Sequence, residues 1–212
     1  MSGGPNSDPG GTSATAERPG LVHALASILE PLDLASLFPH PQPLEVELGS
    51  GDGSFLVQYA QQHPERNFLG VERLLGRLRK TDRKGTRAGL LNLRLVRIEA
   101  SYFVEYLLPA ETAEALHVYF PDPWPKRRHW PKRLVNARFT ELVRKVLKME
   151  GVIYLRTDNA DYFAQMNTVF SAHPGFRAIE TPTVLCQLVT DFEREFQARQ
   201  IQTLRAAYQR VR

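Results

Sequence analysis

Leu44-Glu45-Val46-Glu47-Leu48-Gly49-Ser50-Gly51-Asp52-Gly53 runs from a short strand pattern straight into a glycine-rich turn. Glycines permit a tight turn and let the backbone approach a ligand closely. After the turn a helix is expected over Ser54–Gln62, then a strand over Asn67–Glu72 and a basic helix over Leu74–Leu90. Further strands are expected at Leu93–Ile98, Leu116–Phe120 and Val152–Arg156. Between the last two, Val135, Phe139, Leu142, Val143 and Val146 recur at helical spacing. Tyr162, Phe163, Met166, Val169 and Phe170 form another amphipathic pattern. Strands near Phe176–Glu180 and Ile201–Tyr208 bring the total to seven. This alternation predicts an α/β fold, a mostly parallel seven-stranded sheet with helices on both faces. In such folds ligands lie beyond the carboxyl ends of the strands, where strand order reverses.

The first turn carries carboxylates in unusual places. Glu45 and Glu47 share one face of a strand expected to be buried on both sides, where an ionised group is costly without a partner. A structural salt bridge or a cationic, hydrogen-bonding ligand would each supply one. Glu72 closes the second strand, 19 residues after Gly53. An acidic residue there can accept from both ribose hydroxyls of an adenine nucleoside. The turn is G-x-G-x-G, with Ser54 where a dinucleotide fold has its third glycine, and it contains Asp52. Both features favour S-adenosylmethionine over NAD. Glu99, after the third strand, stands at the corner that commonly faces the adenine.

The second informative stretch follows the fourth strand: Phe120-Pro121-Asp122-Pro123-Trp124-Pro125-Lys126-Arg127-Arg128-His129-Trp130. Prolines on both sides of Asp122 restrict the backbone and hold its carboxylate at low entropic cost. Trp124 and Trp130, interleaved with cations, suit an unstacked base and its phosphates. Cations also crowd Arg73–Arg87 and Lys126–Lys148, the latter run including Lys132, Arg133, Arg138, Arg144 and Lys145 with Glu141 as its one acid. Such clusters grip phosphates or form solvated helix faces.

The net charge of +4 fits an anionic partner without requiring one. No apolar run approaches the roughly 20 residues of a membrane span. Cys186 is the sole cysteine, so neither a disulfide framework nor a thiolate metal site is expected, and a cytoplasmic setting fits. The six histidines show no metal-ligand spacing. Residues 1–20, rich in Gly, Ser, Thr and Pro, are expected to be a disordered tail ahead of one domain over residues 21–212. A lead-in helix, interrupted at Pro31, is expected over Leu21–Leu37.

Glu47-Leu48-Gly49-x-Gly51-x-Gly53, Gly70-Val71-Glu72, Phe120–Lys126, Thr157-Asp158 and Thr190-Asp191-Phe192-Glu193 resemble, in order and spacing, the bacterial tRNA (guanine-N7-)-methyltransferases. The resemblance runs from Leu44 to Tyr208. It implies a class I, Rossmann-like methyltransferase that moves a methyl from S-adenosylmethionine to N7 of guanine 46 in the tRNA variable loop. It further implies that Glu47, Gly49, Gly51, Glu72, Glu99 and Asp122 contact the cofactor, with Asp122 also catalytic. Lys126, Asp158, Thr190, Asp191, Phe192 and Glu193 would contact tRNA. The chain departs from the family at Glu99, where Asp is usual, and at Asp191, where a basic residue is common. Two other readings remain: a methyltransferase-like RNA-binding module without catalysis, and a methyltransferase for another RNA.

Overall fold

The computed structural model of the chain describes residues 20–212. The expected tail therefore lies outside the described residues, Gly20 excepted. The elements in chain order are β1 (Val22–His23), β2 (Leu44–Leu48), α1 (Leu56–Gln62), β3 (Asn67–Val71), α2 (Leu75–Arg87), β4 (Leu93–Val96) and α3 (Ala100–Tyr102). Then come β5 (Ala113–Tyr119), α4 (Ala137–Val146), β6 (Leu147–Thr157), α5 (Ala160–Ser171), β7 (Phe176–Ile179), α6 (Thr183–Gln187), α7 (Asp191–Ala198) and β8 (Leu204–Arg210). A 3₁₀ turn over Arg127–Lys132 precedes α4.

The strands form one sheet in the order β1-β4-β3-β2-β5-β6-β8-β7, parallel except at β8, which runs antiparallel to β6 and to β7. The chain winds outward from β2 through β3 to β4, then returns to pair β5 against the other side of β2. Strand order therefore reverses between β2 and β5, with Leu48 in register with Val118. The glycine turn after β2 and the proline-rich segment after β5 consequently open into the same crevice.

Each face of the sheet carries its own core. On one, Val46, Leu48, Val118 and Leu155 pack with Phe139 and Val143 of α4 and with Met166 and Phe170 of α5. On the other, Phe55, Leu56, Tyr59, Leu78, Leu93 and Leu95 pack with Leu185 and Leu188. Helix starts follow side-chain capping. Asn136 accepts from the amide of Phe139, and Asn159 from that of Tyr162. Thr190 and Glu193 form a reciprocal capping box at α7.

Two expectations need correction. The sheet has eight strands, not seven, and the added strand lies in the segment expected to be a lead-in helix. Leu21–His23 instead runs along the open edge of β4, with the Leu95 amide donating to the Leu21 carbonyl at 2.9 Å. The Asp82 carboxylate accepts from the Leu21 amide at 2.6 Å, and Leu21 itself is buried. Apolar spacing there suggested a helix, but pairing with the β4 edge satisfies backbone groups that would otherwise be left open. Beyond it, Leu34–Ser36 forms only a short 3₁₀ turn.

The second core is closed by an ion pair. Arg156 is 1% exposed; its Nη1 donates to Glu193 Oε2 at 2.8 Å and to the Leu188 carbonyl at 2.9 Å. Glu193 also receives Arg205 Nη2 at 2.6 Å. Removing one member of a buried pair strands the other charge and costs about 3–5 kcal/mol. Glu193→Ala should therefore lower the unfolding free energy by roughly 3 kcal/mol or more in a urea titration. An unchanged midpoint would show that the pair does not hold α7 to the sheet.

Candidate functional site

The glycine turn departs from ordinary backbone at three positions: φ is +80° at Gly49, +57° at Gly51 and +78° at Gly53. At Gly53 a Cβ would also fall 2.5 Å from Thr81 Cγ2 on α2. The turn is pinned by Glu72, whose Oε2 accepts from the Gly51 amide at 3.1 Å and whose Oε1 accepts from the Leu74 amide at 2.7 Å. Each carboxylate oxygen has a second lone-pair direction left for a hydroxyl donor.

The two glutamates of β2 differ sharply. Glu45 has its salt bridge: Arg66 Nη1 lies 2.9 Å from one oxygen and His117 Nε2 lies 2.8 Å from the other. Burial pushes its pKa up, but His117 and Arg66 outweigh that and hold it below the ordinary value. Glu47 is buried, and its Oε2 has no hydrogen-bond partner among the described residues. Burial raises its pKa to about 8; Arg156 works against the shift, while Glu72 and Asp52 add to it. Among the sequence candidates, Glu47 is the buried carboxylate with an oxygen that lacks a partner among the described residues.

Across the crevice, the segment after β5 is held in a costly conformation. Phe120 has φ +52° and Trp124 φ +44°, and each precedes a proline. Left-handed backbone at non-glycine residues costs on the order of 1–3 kcal/mol each, and a following proline disfavours helical backbone further. The Phe120 amide donates to the Arg156 carbonyl at 2.8 Å, and its ring lies 6.1 Å from Phe192 and 5.4 Å from Phe196. Asp122, exposed at the crest of this segment, faces the cleft.

The cleft between the two loops has a volume of about 370 Å³. Leu48 and Gly49 form its floor; Glu72, Arg73, Leu74 and Arg77 form one wall, and Phe120, Pro121, Asp122 and Trp124 the other. Ile98, Glu99 and Ala100 close one end, with Lys132 and Leu134 nearby. Lys132 Nζ sits 5.0 Å from the Trp124 ring centroid, a cation–π contact at the rim.

Residues 41–206 match the model of a family described as "Putative methyltransferase". The chain belongs to this methyltransferase family. It is 35% identical over 173 residues to the tRNA (guanine-N(7)-)-methyltransferase of Sodalis glossinidius, covering 79% of the chain and 72% of that protein. It is 40% identical over 136 residues to the protein of the same name from Syntrophotalea carbinolica, covering 64% of the chain and 59% of that protein. The chain thus spans less than two thirds of the length of that relative. The resemblance carried by the motifs holds. In fold it is similar to a 30S ribosomal methyltransferase from an uncultured bacterium, with a TM-score of 0.61 at 17% identity, covering 84% of the chain and 92% of that structure. A 16S rRNA methyltransferase, KamB, gives 0.58 at 18% identity, covering 86% and 95%.

Within this methyltransferase fold the expected site residues separate into groups. Gly49, Glu72, Glu99 and Asp122 line one cleft. Gly51 lies just behind, held by Glu72, and Glu47 lies beneath the turn. Glu99 also caps α3, accepting from the Tyr102 amide at 2.8 Å. Lys126 is exposed on the loop, and Asp158 is exposed after β6, the capping role there belonging to Asn159. Phe192 is exposed beside the cleft, with the Arg77 guanidinium 6.0 Å from its ring centroid. Asp191 faces the glycine turn: its amide donates to Ser54 Oγ at 3.2 Å, and Lys84 Nζ lies 3.9 Å from it and 2.9 Å from Asp52.

Thr190 and Glu193, expected among the tRNA contacts, are buried, and they spend their polar atoms on the capping box, Arg156 and Arg205. Arg133, grouped with the exposed cations, is 1% exposed. The sequence reading also missed Arg73, Arg77 and Lys132 as cleft residues. The signal was present: two follow Glu72 closely, and the third ends the Trp-rich segment.

Glu47 sets a pH dependence. A carboxyl raised from 4.5 to about 8 on folding contributes stability that is complete below about pH 4.5 and is lost as pH rises through 8. Glu47→Gln removes that loss, at most about 1.4 kcal/mol per pH unit. The variant should gain on the wild type in unfolding free energy steadily between pH 5 and 8. A difference that stays constant across that range would mean Glu47 is ionised throughout.

Proposed function

We propose that this protein is a tRNA (guanine-N7-)-methyltransferase using S-adenosylmethionine, acting on guanine 46 of the variable loop in the cytoplasm. The observation that carries the reading is the meeting of two loops across one switch-point cleft. A glycine turn braced by Glu72 faces a proline-held Asp122 flanked by Trp124 and cations. The relatives' names support the choice of tRNA and of the N7 position. A cleft of about 370 Å³ lies in the range of small-molecule sites, roughly 300–1,000 Å³.

S-adenosylmethionine supplies an electrophilic methyl group on a sulfonium centre. Glu72 would accept from the ribose hydroxyls, and Glu47 offers the unpartnered oxygen beneath the turn. Guanine N7 has an in-plane lone pair and no proton, so this chain need not supply a base for the transfer. What it must supply is alignment of acceptor and donor. Asp122 would accept from the guanine N1–H and N2–H edge and stabilise the positive charge that develops on the purine. Trp124 and Trp130 would stack on the extruded base or its neighbours, and Lys126, Arg127, Arg128 and Lys132 would hold phosphates.

The decisive experiment incubates labelled S-adenosylmethionine with total tRNA and identifies the product nucleoside. 7-Methylguanosine is expected; cofactor binding without transfer would favour a non-catalytic RNA-binding module, and label in another RNA a different substrate. Asp122→Ala should lower turnover by at least about a hundredfold with the thermal midpoint unchanged. Full turnover in that variant would remove Asp122 from the chemistry. Charge reversal at Arg127, Arg128 and Lys132 should weaken tRNA binding and flatten its salt dependence. An unaltered salt slope would take this cluster out of the interface.

A further inference from the structure

The geometry points to Arg133 as the positioning residue for Asp122: it clamps the loop that carries the carboxylate to α5. This rests on the methyl-transfer reading of the cleft. Arg133 Nε donates at 2.7 Å to the carbonyl of Pro123, the residue immediately after Asp122. Its Nη1 donates to Gln165 Oε1 on α5 at 2.8 Å. Gln165 is held in turn, since its Nε2 donates to the Val135 carbonyl at 2.9 Å. The guanidinium lies 4.6 Å from the ring centroid of Trp130 and 4.8 Å from that of Tyr162. The Tyr162 hydroxyl accepts from the Val135 amide at 2.9 Å, which ties the same cluster to the chain entering α4.

A clamp is needed because the loop opposes its own conformation. Prolines fix φ at positions 121, 123 and 125, but Phe120 and Trp124 are left-handed immediately before proline. Asp122 is exposed, so burial does not hold it in place. Its loop has one anchor on each side: the Phe120 amide on Arg156 before it, and the Pro123 carbonyl on Arg133 after it. A planar, rigid fork reaches two acceptors in fixed directions while stacking on rings, which an ammonium point charge cannot do. Displacement of a positioned group by about 1 Å can cost around a hundredfold in rate.

The test uses Arg133→Lys and Gln165→Leu in the full chain. The protein has two tryptophans, Trp124 and Trp130, both on this segment, so tryptophan emission reports the loop without substrate. In Arg133→Lys, acrylamide quenching should increase and kcat for tRNA methylation should fall at least about tenfold. The cofactor Kd should change by less than kcat, because Glu72 and the glycine turn belong to other elements. Gln165→Leu should move quenching and kcat in the same direction by less. Folded Arg133→Lys with wild-type kcat, or with its loss confined to cofactor affinity, would overturn the assignment. Should Arg133→Lys fail to fold, Gln165→Leu decides alone, and wild-type quenching and kcat there would overturn it. If the wild-type chain methylates no tRNA, the functional reading fails, and the quenching of the two variants still decides whether the clamp exists.

Discussion

Arg156 is the group on which this architecture turns. It is the next-to-last residue of β6, paired with Tyr119 of β5, and it is almost entirely removed from water. A buried guanidinium is costly unless its charge is paired and most of its donors are met. Here Glu193 meets the charge, the carbonyls of Leu185 and Leu188 take two more donor positions, and the Tyr119 ring lies 4.0 Å from the carbon centre, while Nε has no hydrogen-bond partner among the described residues. Those partners come from α6, α7 and β5, so satisfying one residue draws the C-terminal helices against the end of the sheet. Its backbone carbonyl receives the Phe120 amide, which fixes the start of the loop that carries Asp122. The field of Arg156 also reaches Glu47, where it opposes the upward shift that burial imposes.

The two loops of the cleft solve the same problem differently. The glycine turn adopts left-handed backbone at residues that pay little for it, and one carboxylate, Glu72, is enough to set its shape. The loop after β5 places a phenylalanine and a tryptophan in that region, so it must be restrained from outside. Arg156 and the aromatic rings of α7 act on one end, Arg133 on the other. Strain held by surrounding structure is a common property of functional segments. It makes the position of Asp122 depend on residues far from it in sequence.

That dependence also explains what could be read from the sequence. The glycine turn, the alternation of strands and helices, and the Asp122 segment are local patterns, and the structure places them at one switch point. The bend of the fold around β2 and β5 follows from rules of parallel connection, so the cleft was legible before any coordinate. The burial of Thr190 and Glu193 was not legible because the partners of Glu193, Arg156 and Arg205, lie in other elements that no spacing connects to it. Leu21–His23 was read as helix because apolar period is a local signal, whereas an unpaired strand edge is not. Arg133 was hidden among neighbours of the same charge.

A count of cations therefore overstates the surface that can meet RNA. Within the run from Lys126 to Lys148, Arg133 is in the interior, Arg138 faces Glu105, Arg144 lies 3.6 Å from Glu141 and Lys148 lies 3.2 Å from Glu114. On α2, Lys84 is bound to Asp52 of the glycine turn. Surface pairs of this kind are weak, but each carries its own counter-charge and adds little net field. Lys126, Arg127, Arg128 and Lys132 remain on the loop, exposed, with Arg73 and Arg77 on the opposing wall. Lys145 on α4 and Arg79, Lys80, Arg83 and Arg87 on α2 are exposed as well, so the unbalanced charge includes both rims of the cleft and continues along α2. A polyanion drawn there would arrive over Asp122 and Trp124, which makes the distribution of charge, more than its sum, the feature suited to presenting a base to the site.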